Sequence, residues 1–230
     1  RHLTLNPGLL MMKAIHFMMI DYIKVKQQIY FMPLFVVIAL FLWGQGFSIV
    51  VPFSYMIFVA IIFSTAPFGT CRKGDAGFLV LLPSTVRQRV LGRFLYGMSF
   101  VGFALVCSGI FVVIYRLRGQ EIEAWTGTVC LFLLALCMLI ITLEFLILYL
   151  AGEHLAPQLL GIVRVAPAMA SFFSMMYLMD DMEVMGDISM MKDMGSGLMQ
   201  VGAVAVAAAL VLWAVAIVIC VKVTAKRDYV

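Results

Sequence analysis

The sequence predicts an all-α polytopic membrane protein. It should have six transmembrane helices, an N-terminal amphipathic helix lying in the interface, and a short helix on the loop between spans two and three. Three observations carry that fold class. The chain is 64% hydrophobic and 12% charged, with a mean hydropathy of +1.09, outside the range of soluble globular domains. Its 230 residues divide into apolar runs near the ~20 residues that an α-helix needs to cross ~30 Å of hydrocarbon. Threaded through six spans, thirteen of the sixteen lysines and arginines fall on one side and three (Arg116, Arg118, Lys192) on the other. The positive-inside rule then places both ends of the chain in the cytoplasm.

Taken in order, residues 1–11 read as an added or disordered leader ahead of a single membrane domain, 12–230. The first apolar run continues into further spans rather than into a cleavage site. From 12 to 28, Ile15, Met18, Met19 and Tyr22 keep helical spacing, with Lys13, Asp21, Lys24 and Lys26 mostly off that stripe. Such a helix suits the interface plane, where anionic lipid attracts its lysines. Span one covers about 29–46, with Trp43 at the aromatic belt and a tight Gly44-Gln45-Gly46 turn. Span two, about 47–68, tolerates Pro52 because the proline lies in its first turns.

Span three covers about 94–115, and a mixed-charge outer loop leads to span four, about 125–150, which contains Glu144. An inner loop, 151–156, precedes span five, about 157–179, where Arg164 is embedded and Pro167 predicts a kink. An acidic outer segment leads to span six, about 198–221, which ends in Lys222, Lys226 and Arg227. Its Gly202, Ala203, Ala205, Ala207, Ala208 and Ala209 permit close helix approach, the usual basis of packing in lipid.

The longest polar interruption, residues 69–93, carries Arg72, Lys73, Arg87, Arg89 and Arg93 against the single acid Asp75. Leu81-Leu82-Pro83-Ser84 stops one element and starts another, with Ser84 as the expected N-cap. Val86, Val90 and Leu91 then form an apolar stripe flanked by Arg87, Gln88 and Arg89. A short cytoplasmic helix with apolar and cationic knobs is a docking device. Its expected contact set is Leu82, Pro83, Ser84, Val86, Arg87, Arg89, Val90 and Leu91.

No GxxxxGK[ST], HExxH or GxSxG string occurs, and three scattered histidines do not make a zinc site. The reading is therefore not an enzyme, with no cofactor or metal on this chain and no nucleic-acid partner. The five cysteines form no CxxC and read as packing residues. Glu144 and Arg164 lie six and seven residues from the inner ends of their spans, ~10 Å below the interface. They read as a buried charge pair or as a relay or substrate gate. Ten of the eighteen methionines lie between Met169 and Met199, interleaved with five acids. Met175, Met176 and Met179 thus offer an adaptable outer surface for amphipathic ligands, a soft-metal site, or plain interfacial packing.

The string GFLVLLPSTVRQRVLGRFLYG, residues 77–97, resembles a pattern in small permeases of the ABC type-2 exporter family. Leu82-Pro83-Ser84, Arg87 and Gly92-Arg93-Phe94-Leu95 match it, while Val80-Leu81 stands where family members often carry a polar residue. The segment MKAIHFMMIDYIKVKQQ is similar to that family's N-terminal connecting helix. The resemblance implies a permease subunit of a bacterial plasma membrane that pairs with a second copy or homologue. It also implies separate ABC ATPase subunits, which hold ATP and Mg and dock on the 69–93 loop through a coupling helix. The short form with Met-rich outer elements looks most like exporters of amphipathic cytolytic peptides, the phenol-soluble modulins. The alternative class is a standalone carrier or immunity-type membrane protein, with the Met-rich segment as a metal-related feature.

The charge split fixes an expected outcome for topology. With native Cys71 removed, cysteines introduced at Ser84 and Lys226 should resist impermeant thiol reagents in intact cells, and one at Ser189 should react. The reverse labelling pattern would overturn the orientation.

Overall fold

The computed structural model describes residues 7–44, 49–69, 85–119, 122, 124–185 and 195–227, some of them by backbone alone. Among the described residues every regular element is an α-helix. In hydrocarbon nothing outside the chain can bond a peptide group, so a spanning segment satisfies its own backbone by coiling. The helices are α1 (Pro7–Lys24), α2 (Lys26–Ile29), α3 (Met32–Gly44), α4 (Val50–Ser64) and α5 (Ala66–Gly69). They are followed by α6 (Val86–Leu117), α7 (Ala124–Met185) and α8 (Gly195–Arg227).

Among the described residues four helices are long and apolar enough to cross a membrane alone: Val50–Gly69, Val86–Leu117, Thr126–Gly152 and Met199–Arg227. A fifth crossing results if Leu10–Lys24 and Lys26–Leu42, bent by 72°, count as one broken span. The expected spans two, three, four and six correspond to those four helices. At the expected first span, α3 is only 13 residues long, and at the fifth the apolar helix described is Gln158–Ala170.

α4 with α5 is the central post. Its apolar window is 89% buried, against 17% for α8, which lines one side. α6 and the first limb of α7 pack on α4, α8 packs chiefly on α7, α3 leans on α4, and α1 lies along α6. The pattern of burial gives each outer helix one protein face and one lipid face. On α6, Phe94, Val101, Ala104 and Phe111 turn inward, while Val106, Ile110 and Val113 are exposed. Thr65 breaks the post (φ −97°, ψ 2°), because Pro67 cannot donate the next backbone bond.

Three glycines let neighbouring helices approach closely. A Cβ on Gly92 would sit 2.6 Å from Phe17 Cβ and 2.7 Å from the Ala14 carbonyl oxygen, so α1 crosses α6 backbone on backbone. A Cβ on Gly97 would meet the Phe145 ring at 2.9 Å, and one on Gly202 would meet Leu131 Cβ at 3.0 Å. Of the small residues expected to pack in the last span, Gly202 and Ala209 are buried and Ala205 is half-buried, while Ala203, Ala207 and Ala208 are exposed; Ala216 extends the buried pair at heptad spacing.

α7 is two helices merged across Gly152, whose φ of 79° and ψ of 177° only glycine adopts readily. The expected inner loop 151–156 is therefore one sharp residue. Arg227, at the end of α8, donates from Nη1 to the Tyr149 carbonyl at 2.8 Å and from Nη2 to the Leu150 carbonyl. These bonds cap the first limb where its carbonyls lose their helical partners. Helix hydroxyls are satisfied locally in the same spirit: Ser54, Ser64, Ser108, Thr142 and Thr224 each donate to a carbonyl three or four residues back.

α1 begins at Pro7, ahead of the expected 12–28 helix, and a proline costs nothing in a first helical turn. The stripe assigned to lipid is also divided. Met18 and Tyr22 pack inward beside buried Ala14 and Val25, while Met11, Ile15, Met19 and Ile23 are exposed.

Gly92→Ala should cost about 1–3 kcal/mol as an overpacked contact, because the obstructing atom is backbone. Gly102→Ala, with nothing within 4 Å, should be neutral or slightly stabilising. Thermal unfolding of both variants in nanodiscs checks the pair. Equal melting points would remove the close crossing of α1 and α6.

Candidate functional site

The sequence-expected docking segment begins at Thr85, which caps α6 with a reciprocal box. Gln88 N–H donates to Thr85 Oγ1 at 3.4 Å, and Thr85 N–H donates to Gln88 Oε1 at 3.0 Å. The cap is therefore Thr85 rather than Ser84, and the Thr-Val-Arg-Gln spacing carries the signal. Leu82, Pro83 and Ser84 lie outside the described residues.

The docking helix is not a separate element. Its turns are the head of the 32-residue α6, ~48 Å long, of which about three turns exceed a ~30 Å hydrocarbon core. Val90 is 1% exposed and heads the inward stripe that continues through Phe94 and Val101, so it is not a presented knob. Val86 and Leu91 are half-buried, Arg87 is exposed, and Arg89 is half-buried with a partner of its own. What this head offers to a partner is Arg87 with the outer edges of Val86 and Leu91.

The head of α6 is joined to α1 by polar groups that the spacing did not reveal. Asp21 Oδ2 is 3.6 Å from Arg93 Nε, and the Arg93 guanidinium lies over the Phe68 ring, 4.6 Å from its centroid. One cation thus touches α1 and α5 from α6. One turn on, the Tyr22 hydroxyl hydrogen-bonds Ser99 Oγ, and its ring meets Tyr96 edge-on at 4.9 Å. α1 lies outside the four helices able to cross alone. Burial pushes the Asp21 carboxyl up from its ordinary value, opposed by Arg93 and then by Lys24. The direction means that burying the charge costs more than Arg93 returns.

Below this joint Phe68, Phe94, Phe145, Tyr149 and Trp213 close the centre from α5, α6, α7 and α8. Glu144, next to Phe145, is 1% exposed, and neither of its oxygens has a hydrogen-bond partner. Arg164, on the second limb of α7, is close enough for its charge to act on Glu144 and on Tyr96. No ion pair closes between Glu144 and Arg164, and Arg164 Nε is sealed without an acceptor. The expected pair is a proximity, not a contact. Met175, Met176 and Met179 fall within the helical backbone of α7, and their side chains lie outside the description.

No family model matches the chain, and neither does any curated protein or solved structure. The arrangement itself is what bears on function: a cation-bearing helix head, a second helix keyed to it, and an intramembrane carboxylate beneath.

The Asp21–Arg93 pair gives a direct measurement. Removing either side chain alone (Asp21→Leu or Arg93→Leu) should cost roughly 3 kcal/mol, because the remaining charge is left in a poorly hydrated site. The double Leu variant should cost less than either single change. A double-mutant cycle by chemical or thermal unfolding should return a coupling of about 0.5–3 kcal/mol, and strict additivity would mean no interaction.

Proposed function

We propose that this chain is the permease subunit of an ATP-driven ABC exporter in a bacterial plasma membrane. It would move an amphipathic peptide or similar hydrophobic substrate outward along a path between two permease copies. The observation that carries the reading is the keyed joint of α1 with the head of α6 at Gly92 and Arg93. Gly92 and Arg93 belong to the 69–93 segment, whose string resembles the family's docking segment. In this reading six spans are used, with α3 as the first and the second limb of α7 as the fifth, and both ends are cytoplasmic.

Closure of partner ATPases on ATP and Mg would push on exposed Arg87 and on the loop before Thr85. The continuous α6 passes the push along its axis. Gly92 and the Asp21–Arg93 pair pass it to α1, and the Arg93–Phe68 contact passes it to the central post. A standalone ion-coupled carrier is the second reading, favoured by one observation, the unpartnered carboxylate of Glu144.

The test is co-purification with candidate ATPases, followed by substrate-stimulated hydrolysis in vesicles. Arg87→Glu and Leu91→Asp should each weaken docking by ~2 kcal/mol or more, as expected for an interface anchor, with the fold intact. Val90→Asp should instead unfold the head of α6. Full binding and stimulation in both docking variants would rule out this surface.

A further inference from the structure

The corner of α7 is held from outside that helix. In an unbroken α-helix the carbonyls of Tyr149 and Leu150 would accept from the backbone N–H groups of Glu153 and His154, one turn on. Gly152, at φ 79° and ψ 177°, breaks that ladder. Arg227 supplies donors in its place, from Nη1 to the Tyr149 carbonyl at 2.8 Å and from Nη2 to the Leu150 carbonyl. The guanidinium also fills the angle itself, since a Cβ on Gly152 would lie 2.5 Å from Nη1 and 3.1 Å from Cζ. Glycine has the widest choice of φ and ψ of any residue, so the backbone at 152 does not select this angle unaided.

The limb beyond the corner buries little. Among the described side chains between 155 and 170 only Ala156 and Ala168 are buried, while Leu155, Ile162, Val165 and Met169 are exposed. The first limb, over a stretch of the same length, buries Leu133, Met138, Ile141, Phe145 and Leu148. The second limb has a seat near its start, where Leu160 lies over the foot of the central post. A Cβ on Gly69 would be 2.6 Å from Leu160 Cδ2, the movable end of a flexible side chain. Few buried apolar side chains mark a segment that shifts at low cost.

We propose that the second limb of α7 is a hinged arm, with Gly152 as its pivot and Arg227 as the lock that sets its angle. Locked, the guanidinium satisfies the last carbonyls of the first limb and occupies the inside of the bend. Unlocked, those carbonyls lose their donors and Gly152 is free to take other angles. From the pivot to residue 170 the arm is ~27 Å long, so a turn of about 10° at Gly152 moves its far end by about 5 Å. The lock belongs to α8, so a slide of α8 along α7 by about one residue, ~1.5 Å, pulls the guanidinium off both carbonyls. The device goes beyond the transport reading and stands whether or not an ATPase docks; in that reading the arm is the fifth span.

Distances between the two limbs read the lock directly, with no ATPase present. Nitroxides at Ile147 on the first limb and Ile162 on the second, both exposed, can be attached through an encoded bio-orthogonal residue that leaves the native cysteines in place. In nanodiscs, double electron–electron resonance should give one narrow distance while Arg227 is intact. Arg227→Leu should broaden that distribution about two-fold or more, because a released hinge samples other angles. Arg227→Lys keeps the positive charge but loses the planar fork of donors, and it should broaden the distribution as well. Unchanged helix content by circular dichroism separates a freed arm from an unfolded one. Should Arg227→Leu lose helix, Arg227→Lys carries the test alone. A distance as narrow in the variants as in the unmodified protein would overturn the lock, since the arm would then be held elsewhere. A broad distance with Arg227 in place would overturn it equally.

Discussion

Arg93 is where the bundle is tied together. A guanidinium at the head of a long apolar helix must find counter-charge or a π-face as it leaves water, and this one finds both, Asp21 and Phe68. Phe68 ends the central post and meets Phe145 and Tyr149 edge-on, so the cation caps the aromatic cluster that joins four helices. Asp21 lies on the face of α1 that Gly92 admits to within backbone contact. Neither interaction is strong alone. Their value is geometric, because the ion pair fixes the register of α1 along α6 at the one place where a Cβ would forbid the crossing.

Hydrocarbon offers helices no hydrophobic reason to leave it for one another, so association rests on fit and on polar contacts. That explains why helices approach closely at Gly92, Gly97 and Gly202, and why five hydroxyls bond back to their own helices instead of across the bundle. Against this background Glu144 stands out. A carboxyl group sealed among Phe145, Ile141 and Leu148 without a donor costs several kcal/mol whichever way it is protonated, so something must return that cost.

The four long apolar helices were legible because hydropathy and length report escape from water, and these helices satisfy both. The neighbour a residue escapes toward was not legible. Ile15 and Met18 are equally apolar, yet one is exposed and the other packs on the core, since lipid and protein accept the same side chains. Val90, one residue of the expected docking stripe, is buried for the same reason: the partner face of α6 comes from distant sequence. Asp21 was read only as a charge off the stripe of the first helix and Arg93 as one cation of the 69–93 segment, and nothing in helical spacing joins residues so far apart. Thr85 was different. Its capping box with Gln88 was present in four consecutive residues, and Ser84 was preferred only for standing directly after Pro83.

The tail illustrates how a basic terminus can be read too narrowly. Lys222, Lys226 and Arg227 enter the sequence argument only as a sum of charge that fixes orientation. In the fold Arg227 has a specific task, giving donors to the carbonyls of Tyr149 and Leu150 where the first limb of α7 stops. Gly152 makes the stop possible twice over, through its positive φ and because a Cβ there would lie 2.5 Å from the Arg227 guanidinium. A helix end at a membrane boundary has carbonyls that lipid cannot satisfy. A cation from a neighbouring helix answers them and favours the negative end of the helix dipole. The residue that a charge count assigns to the cytoplasmic side therefore also anchors α8 to α7, a packing role that the count alone does not reveal.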